Sequence, residues 1–146
     1  MSQQAEQRPT TGVLDRVVMV LLGLLLAAVS LALMISTHRV HVDLFTISWP
    51  VGLVFGAVLQ LAASIFLLSS GGSRLPLLVF LIAWGMGTAL FAGTGAGGGV
   101  LMPAVIEDRI QFSGWIVQGL GILIPLAVLG VDLVLRLRRT APRRAR

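Results

Sequence analysis

The segment that decides the fold is Gly93–Gly114, GTGAGGGVLMPAVIEDRIQFSG, because it is the longest interruption in an otherwise apolar chain. It holds five of the seventeen glycines within 93–99 and then an amphiphilic piece with Glu107, Asp108 and Arg109. Three apolar runs precede it and one follows it. About 20 apolar residues, at about 1.5 Å each, cross the roughly 30 Å hydrocarbon core of a bilayer. The segment therefore separates the third from the fourth of four predicted membrane spans.

The composition places the chain among membrane proteins. Of its 146 residues, 56% are hydrophobic and only 12% are charged, with a mean hydropathy of +0.95. A soluble domain carries about 25% charged residues. Cysteine is absent, which excludes a disulfide framework, a thiolate nucleophile and cysteine-based metal sites.

The sequence predicts an all-α membrane protein whose residues 14–137 form a four-transmembrane-helix bundle. The predicted segments are a disordered tail 1–13, spans at about 17–35, 50–68, 75–92 and 115–135, a Gly-rich outer connection 93–114, and a basic tail 138–146. A cleaved signal peptide is the alternative for the first run. That run has nineteen uncharged residues, longer than the usual 7–15 of such a peptide, which favours a span.

The arginines predict the orientation in the membrane. Four spans put both termini and the polar turn 69–74 on one side, together with nine of the eleven arginines. The other side holds Arg39 and Arg109. Because basic residues concentrate in cytoplasmic segments, both termini are predicted to be cytoplasmic.

Two outer segments carry weaker structural signals. Residues 37–48 alternate apolar and polar side chains, which favours an extended piece or a hairpin at the membrane surface. Residues 100–110 are predicted to form a short helix on the outer surface, after a glycine-rich turn or partly re-entrant segment.

Small and polar residues recur at helical spacing within the spans. Gly52, Gly56 and Gln60 follow at intervals of four in the second span, and the first two form a GxxxG pair. Gln118 and Pro125 share one stripe of the fourth span. Small residues allow close approach of helices, so these faces predict helix packing within the bundle or in a homodimer. The functional alternative is a permeation path past the two glutamines.

Asp132 is the single acidic residue inside a predicted span. Arg136 follows four residues later, a spacing that favours an ion pair on one helix. A proton relay or an inter-subunit contact is the alternative, since intramembrane acids are often functional. The basic residues at the C-terminal end are predicted to set topology and to touch anionic lipid headgroups: Arg136, Arg138, Arg139, Arg143, Arg144 and Arg146.

Motifs for catalysis, cofactors and metals are weak. Residues 93–98 match G-x-G-x-x-G, but they follow an apolar run rather than a strand, so nucleotide binding is not predicted. His38, His41 and Asp43 form a partial ligand set without a supporting motif, and are predicted to be exposed loop residues without a metal. We predict no catalytic residues, no cofactor and no nucleic-acid partner.

The four spans, the stretch GTGAGGGVLMP before the last span, and the arginine-rich end resemble a family of small four-span actinobacterial membrane proteins of unknown function, the DUF6113-like family. The resemblance covers most of residues 14–138. It implies a bacterial plasma membrane and carries over no catalytic residue.

The function expected from these features is non-enzymatic. The chain is predicted to be an accessory or scaffold subunit of a membrane complex, in contact with the lipid bilayer and with another integral membrane protein or a second copy of itself. The alternative is a small oligomeric transporter or channel.

Overall fold

The computed structural model describes residues 12–70, 72–92, 105–106, 109–110 and 112–140. Within them, four helices and two short hairpins follow in the order α1 Val13–Thr37, β1 Val42–Leu44, β2 Ile47–Trp49, α2 Val51–Ser70, α3 Leu75–Ala92, β3 Val105–Ile106, β4 Arg109–Ile110 and α4 Phe112–Thr140. The predicted all-helical class is confirmed.

Three helices, α1, α2 and α4, are long and apolar enough to cross a membrane. Their 25, 20 and 29 residues correspond to about 38, 30 and 44 Å of helix. The apolar helix α3 is shorter, with 18 residues and about 27 Å. These lengths indicate that the protein is located in a membrane.

Local sequence explains where the helices begin. At the start of α1, the Asp15 carboxylate accepts a hydrogen bond from the Gly12 backbone N–H at 3.1 Å, which satisfies an amide that the helix leaves free. Pro50 precedes α2, and Pro76 lies in the first turn of α3, where a missing N–H costs nothing. In the connection between α2 and α3, Gly72 has a φ of +56°, a conformation that favours glycine.

The helices pair differently from their order along the chain. α1 packs mainly against α3, and α2 mainly against α4, while α2 and α3, which are consecutive, share few contacts. The buried apolar side chains of this interior are Ala27, Leu31, Met34, Ala63, Leu67, Leu77, Phe80, Trp84 and Val117. Every helix contributes to that set, so the four helices enclose one common core.

Of the two structures predicted for the first connection, an extended piece or a hairpin, the hairpin is present. β1 and β2 pair antiparallel, with Val42 opposite Trp49 and Leu44 opposite Ile47. The two turn residues, Phe45 and Thr46, have φ angles of 49° and 72°. Positive φ at both central positions is characteristic of the type I′ turn, whose twist matches that of paired strands.

The predicted short helix at residues 100–110 is wrong for its second half. Residues 105–106 pair antiparallel with residues 109–110, as β3 and β4. Val and Ile are β-branched, lose side-chain freedom in a helix and fit a strand better, which the helix prediction underweighted. The glycines from Gly93 to Gly99 lie outside the described residues.

The last helix is longer than its predicted span. α4 begins at Phe112 and ends at Thr140, whereas the predicted span covers 115–135. Arginine is a good helix former, and positive charge near a helix C-terminus is favourable. The helix therefore continues through Arg138 and Arg139 beyond its apolar part.

Candidate functional site

The GxxxG face of α2 is covered by α1 of the same chain. A Cβ added to Gly52 would overlap the backbone carbonyl oxygen of Thr37, and one added to Gly56 would lie 2.8 Å from Cε of Met34. Both glycines are buried. Their place in the fold is thus the α1–α2 contact, which leaves this face no room for a second copy of the chain.

Gly121, on the same stripe of α4 as Gln118 and Pro125, contacts α3. A Cβ added to Gly121 would overlap the six-membered ring of Trp84, which is fully buried. Pro125 is buried one turn beyond Gly121, and α4 continues past this proline without a break. Gln118 is only half-buried. These residues place a close helix contact at the middle of the bundle.

Gln60 lies at the middle of α2 and is completely buried. Neither its Oε1 nor its Nε2 has a hydrogen-bond partner among the described residues, and the same is true of Nε1 of Trp84. The nearby hydroxyls are used locally, since Ser64 donates to the Gln60 carbonyl at 2.7 Å and Thr88 donates to that of Gly85 at 2.9 Å. The bundle interior therefore contains polar atoms that its described side chains do not satisfy.

Asp132 forms two ion pairs. The i,i+4 pair predicted from the sequence is confirmed, with Nε of Arg136 3.0 Å from Oδ1. The second partner is Arg74, just before α3, whose Nη2 and Nε lie 2.7 and 2.8 Å from Oδ2. Arg74 thus ties the start of α3 to the last turns of α4.

The histidine cluster of the first connection is divided. His38 is buried at the end of α1, where its Nδ1 lies 2.7 Å from the carbonyl oxygen of Ile35, so its predicted exposure is wrong. Its backbone packs beside Gly52, which explains the burial. His41 and Asp43 are exposed. In the described part of the chain, no three His, Cys, Asp or Glu residues are grouped so as to hold a metal ion.

For five residues discussed from the sequence, the predictions stay predictions because the residues lie outside the described part of the chain. They are Glu107, Asp108, Arg143, Arg144 and Arg146. Arg138 and Arg139 are exposed in the last turn of α4.

Two features of the site were missed from the sequence. Arg74 and Asp132 are 58 positions apart in the sequence. The one sequence signal for their pairing was that both were predicted to lie near the same side of the membrane. Trp84 fills the space next to Gly121. No local sequence pattern predicts this contact, because it depends on which helices are neighbours.

Within the described residues, the fold and these contacts define a small helical membrane protein with a weakly polar interior and a charged cluster of Arg74, Asp132 and Arg136. In comparisons with known proteins, no family model, no curated protein and no solved structure matches the chain.

The buried amide of Gln60 leads to a stability prediction. A buried polar group without a partner costs about 1–3 kcal/mol, so we expect Gln60→Leu to raise the free energy of unfolding by about that amount. The measurement is the midpoint of unfolding in mixed micelles of dodecylmaltoside and sodium dodecyl sulfate, followed by circular dichroism. Ser64→Ala, one turn away, is the control and should change it little. A destabilised Gln60→Leu variant would mean that the amide has a partner in the folded protein.

Proposed function

We propose that the chain is a four-span protein of a bacterial plasma membrane with both termini in the cytoplasm. The proposal is supported by the three helices of spanning length, by α3 near the lower limit of length, and by the distribution of the arginines. Membership of the DUF6113-like family of actinobacterial membrane proteins is part of the same proposal.

Within that membrane, the role that fits best is non-enzymatic, as an accessory or scaffold subunit. The observation that carries this role is the closed interior. The central polar residues Gln60, Ser64 and Thr88 are at most 2% exposed, and Trp84 and Phe80 fill the space between helices. Side chains of the described residues fill the space between the helices, which supports a role for the outer surface of the bundle in binding a partner.

The surface best suited to bind a partner is the hairpin of β1 and β2. All six strand residues are exposed, and Phe45 at its tip is 91% exposed. Its neighbours Leu44, Ile47 and Trp49 are apolar and more than half exposed. The occupant that we propose is the outer segment of another integral membrane protein, because the hairpin joins α1 to α2 on the side that the proposed orientation places outside.

The test is purification of the tagged protein in mild detergent at native expression, followed by mass spectrometry. We expect a stoichiometric membrane protein partner. We expect Phe45→Asn to lose it, because asparagine tolerates the positive φ of the turn but removes the apolar ring. Thr46→Gly, which alters the same turn and keeps the ring, is the control. A homo-oligomer without a partner, or a partner retained by Phe45→Asn, would contradict this proposal.

A small oligomeric transporter or channel is the second candidate. It is favoured by one observation, the unpartnered amide of Gln60 at the middle of a membrane helix. In liposomes containing only this protein, a transporter would move a solute and would lose that flux in Gln60→Leu. An accessory subunit would show no flux, and its Gln60→Leu variant would still bind its partner.

A further inference from the structure

A groove on the outside of the bundle runs between α2 and α4 and has a volume of about 500 Å³. Its walls are apolar except at one end. Its walls include Leu61, Ile65 and Leu68 of α2 and Ala127, Val131 and Asp132 of α4. Asp132 lines the groove near the end where α2 finishes, and its carboxylate binds Arg74 and Arg136, so this charged cluster lies beside that end of the groove.

The charged cluster has a net positive charge. Arg74 and Arg136 share the single carboxylate of Asp132, which leaves a formal charge of +1. The guanidinium groups remain accessible, with 35% of the Arg74 side chain and 58% of the Arg136 side chain exposed, against 18% for Asp132. Each guanidinium carries five N–H donors, and the bonds to Asp132 use only some of them. The cluster can therefore bind a further anion.

We propose that this groove and cluster together bind one anionic phospholipid of the inner leaflet. Its phosphate accepts hydrogen bonds from the free N–H groups of Arg74 and Arg136, and one acyl chain lies in the groove. Asp132 acts as a positioning residue, because its carboxylate holds both guanidinium groups at the mouth of the groove. The proposal rests on the proposed orientation, with both termini in the cytoplasm, and is independent of the accessory role.

The dimensions favour a lipid over a helix of a partner protein. From Ile124 to Leu135, the α4 wall of the groove is about 16 Å long, and from Leu61 to Leu68 the α2 wall is about 10 Å long. Half of the hydrocarbon core is about 15 Å thick. The groove thus covers one leaflet, whereas a partner helix would follow the bundle across both. Asp132 lies near the end of the predicted span 115–135, so we expect the positive charge close to the headgroups of that leaflet.

The experiment is native mass spectrometry of the full-length protein in detergent, titrated with phosphatidylglycerol or phosphatidylcholine of identical acyl chains. We expect one phosphatidylglycerol to bind about tenfold more tightly than phosphatidylcholine. Arg136→Gln should reduce that affinity about tenfold, because it removes a charged donor of the site. Arg138→Gln, an equal change of charge two residues away, is the matched control and should leave the affinity unchanged.

A second pair of variants tests the groove without altering any charge. Ala127→Phe fills the groove and should abolish the preference for phosphatidylglycerol, while Leu126→Phe, exposed on the same helix outside the groove, should preserve it. Both positions are exposed, so both variants should fold. Equal binding of the two lipids, equal loss in Arg136→Gln and Arg138→Gln, or unchanged selectivity in Ala127→Phe would overturn the proposal. Displacement of the lipid by glycerol 3-phosphate alone would likewise overturn it, since the acyl chain would then contribute nothing.

Discussion

Gly52→Ala is expected to destabilise the protein by about 2–3 kcal/mol. The added Cβ would overlap the carbonyl oxygen of Thr37, and this atom belongs to the backbone at the end of α1, so no side-chain rotation relieves the contact. Overpacking of a well-filled interior costs about 1–3 kcal/mol, and a backbone clash belongs at the upper end of that range. The measurement is the midpoint of unfolding in mixed micelles, followed by circular dichroism.

The chain contains its own controls for this prediction. Gly119 and Gly130 lie in α4, and a Cβ at either position would meet open space. Their alanine variants should be neutral or more stable by about 0.5–1 kcal/mol, because alanine costs less backbone entropy than glycine in a helix. Gly56→Ala should be intermediate, since Met34, which it would crowd, is a flexible side chain that can move. Equal stability of Gly52→Ala and Gly119→Ala would disprove the close α1–α2 contact.

The second large effect is expected at the contact of Gly121 with Trp84. Gly121→Ala should cost about 1–3 kcal/mol, because its Cβ would overlap the buried indole ring. Trp84→Ala should cost about 3–5 kcal/mol, the usual loss for a large aromatic side chain removed from a filled core.

Together these two substitutions form a double-mutant cycle. Once the indole is gone, Gly121→Ala has no atom to clash with and should become neutral or slightly stabilising. The coupling energy between the two sites should therefore be about 1–3 kcal/mol. The double variant should be more stable than the summed destabilisations of the two single variants predict. Unfolding in mixed micelles measures all four corners of the cycle. Additive effects would mean that α3 and α4 do not meet at these residues in the folded protein.

Both predictions concern close packing, and this matters more in a membrane than in water. Lipid tails are as apolar as the side chains that they replace, so helices in a bilayer associate through van der Waals packing and hydrogen bonds rather than through the hydrophobic effect. A glycine that permits contact between two backbones therefore contributes more to stability than the small apolar area that it buries would suggest. By the same reasoning, van der Waals packing would hold the acyl chain of the proposed lipid in the groove between α2 and α4.

Much of the fold could be read from the sequence because it depends on composition and periodicity. Long uncharged runs predict helices, and the alternation in residues 37–48 predicts a strand hairpin, whose periodicity of two is local. The i,i+4 pair of Asp132 and Arg136 is also local, since one helix turn brings the two residues together. The short pairing of residues 105–106 with 109–110 was missed because four residues are too few for a periodic signal.

By itself, the sequence determined the membrane class, the helices of the described chain and the small-residue faces on which they pack. Only the tertiary structure decided which helix each face meets. Gly52 and Gly56 face α1, Gly121 faces Trp84 of α3, and Arg74 crosses to Asp132 of α4. A face of small residues can pack against any helix. Which helix it meets therefore depends on how the surfaces of all four helices fit together, and this fit is a property of the whole bundle.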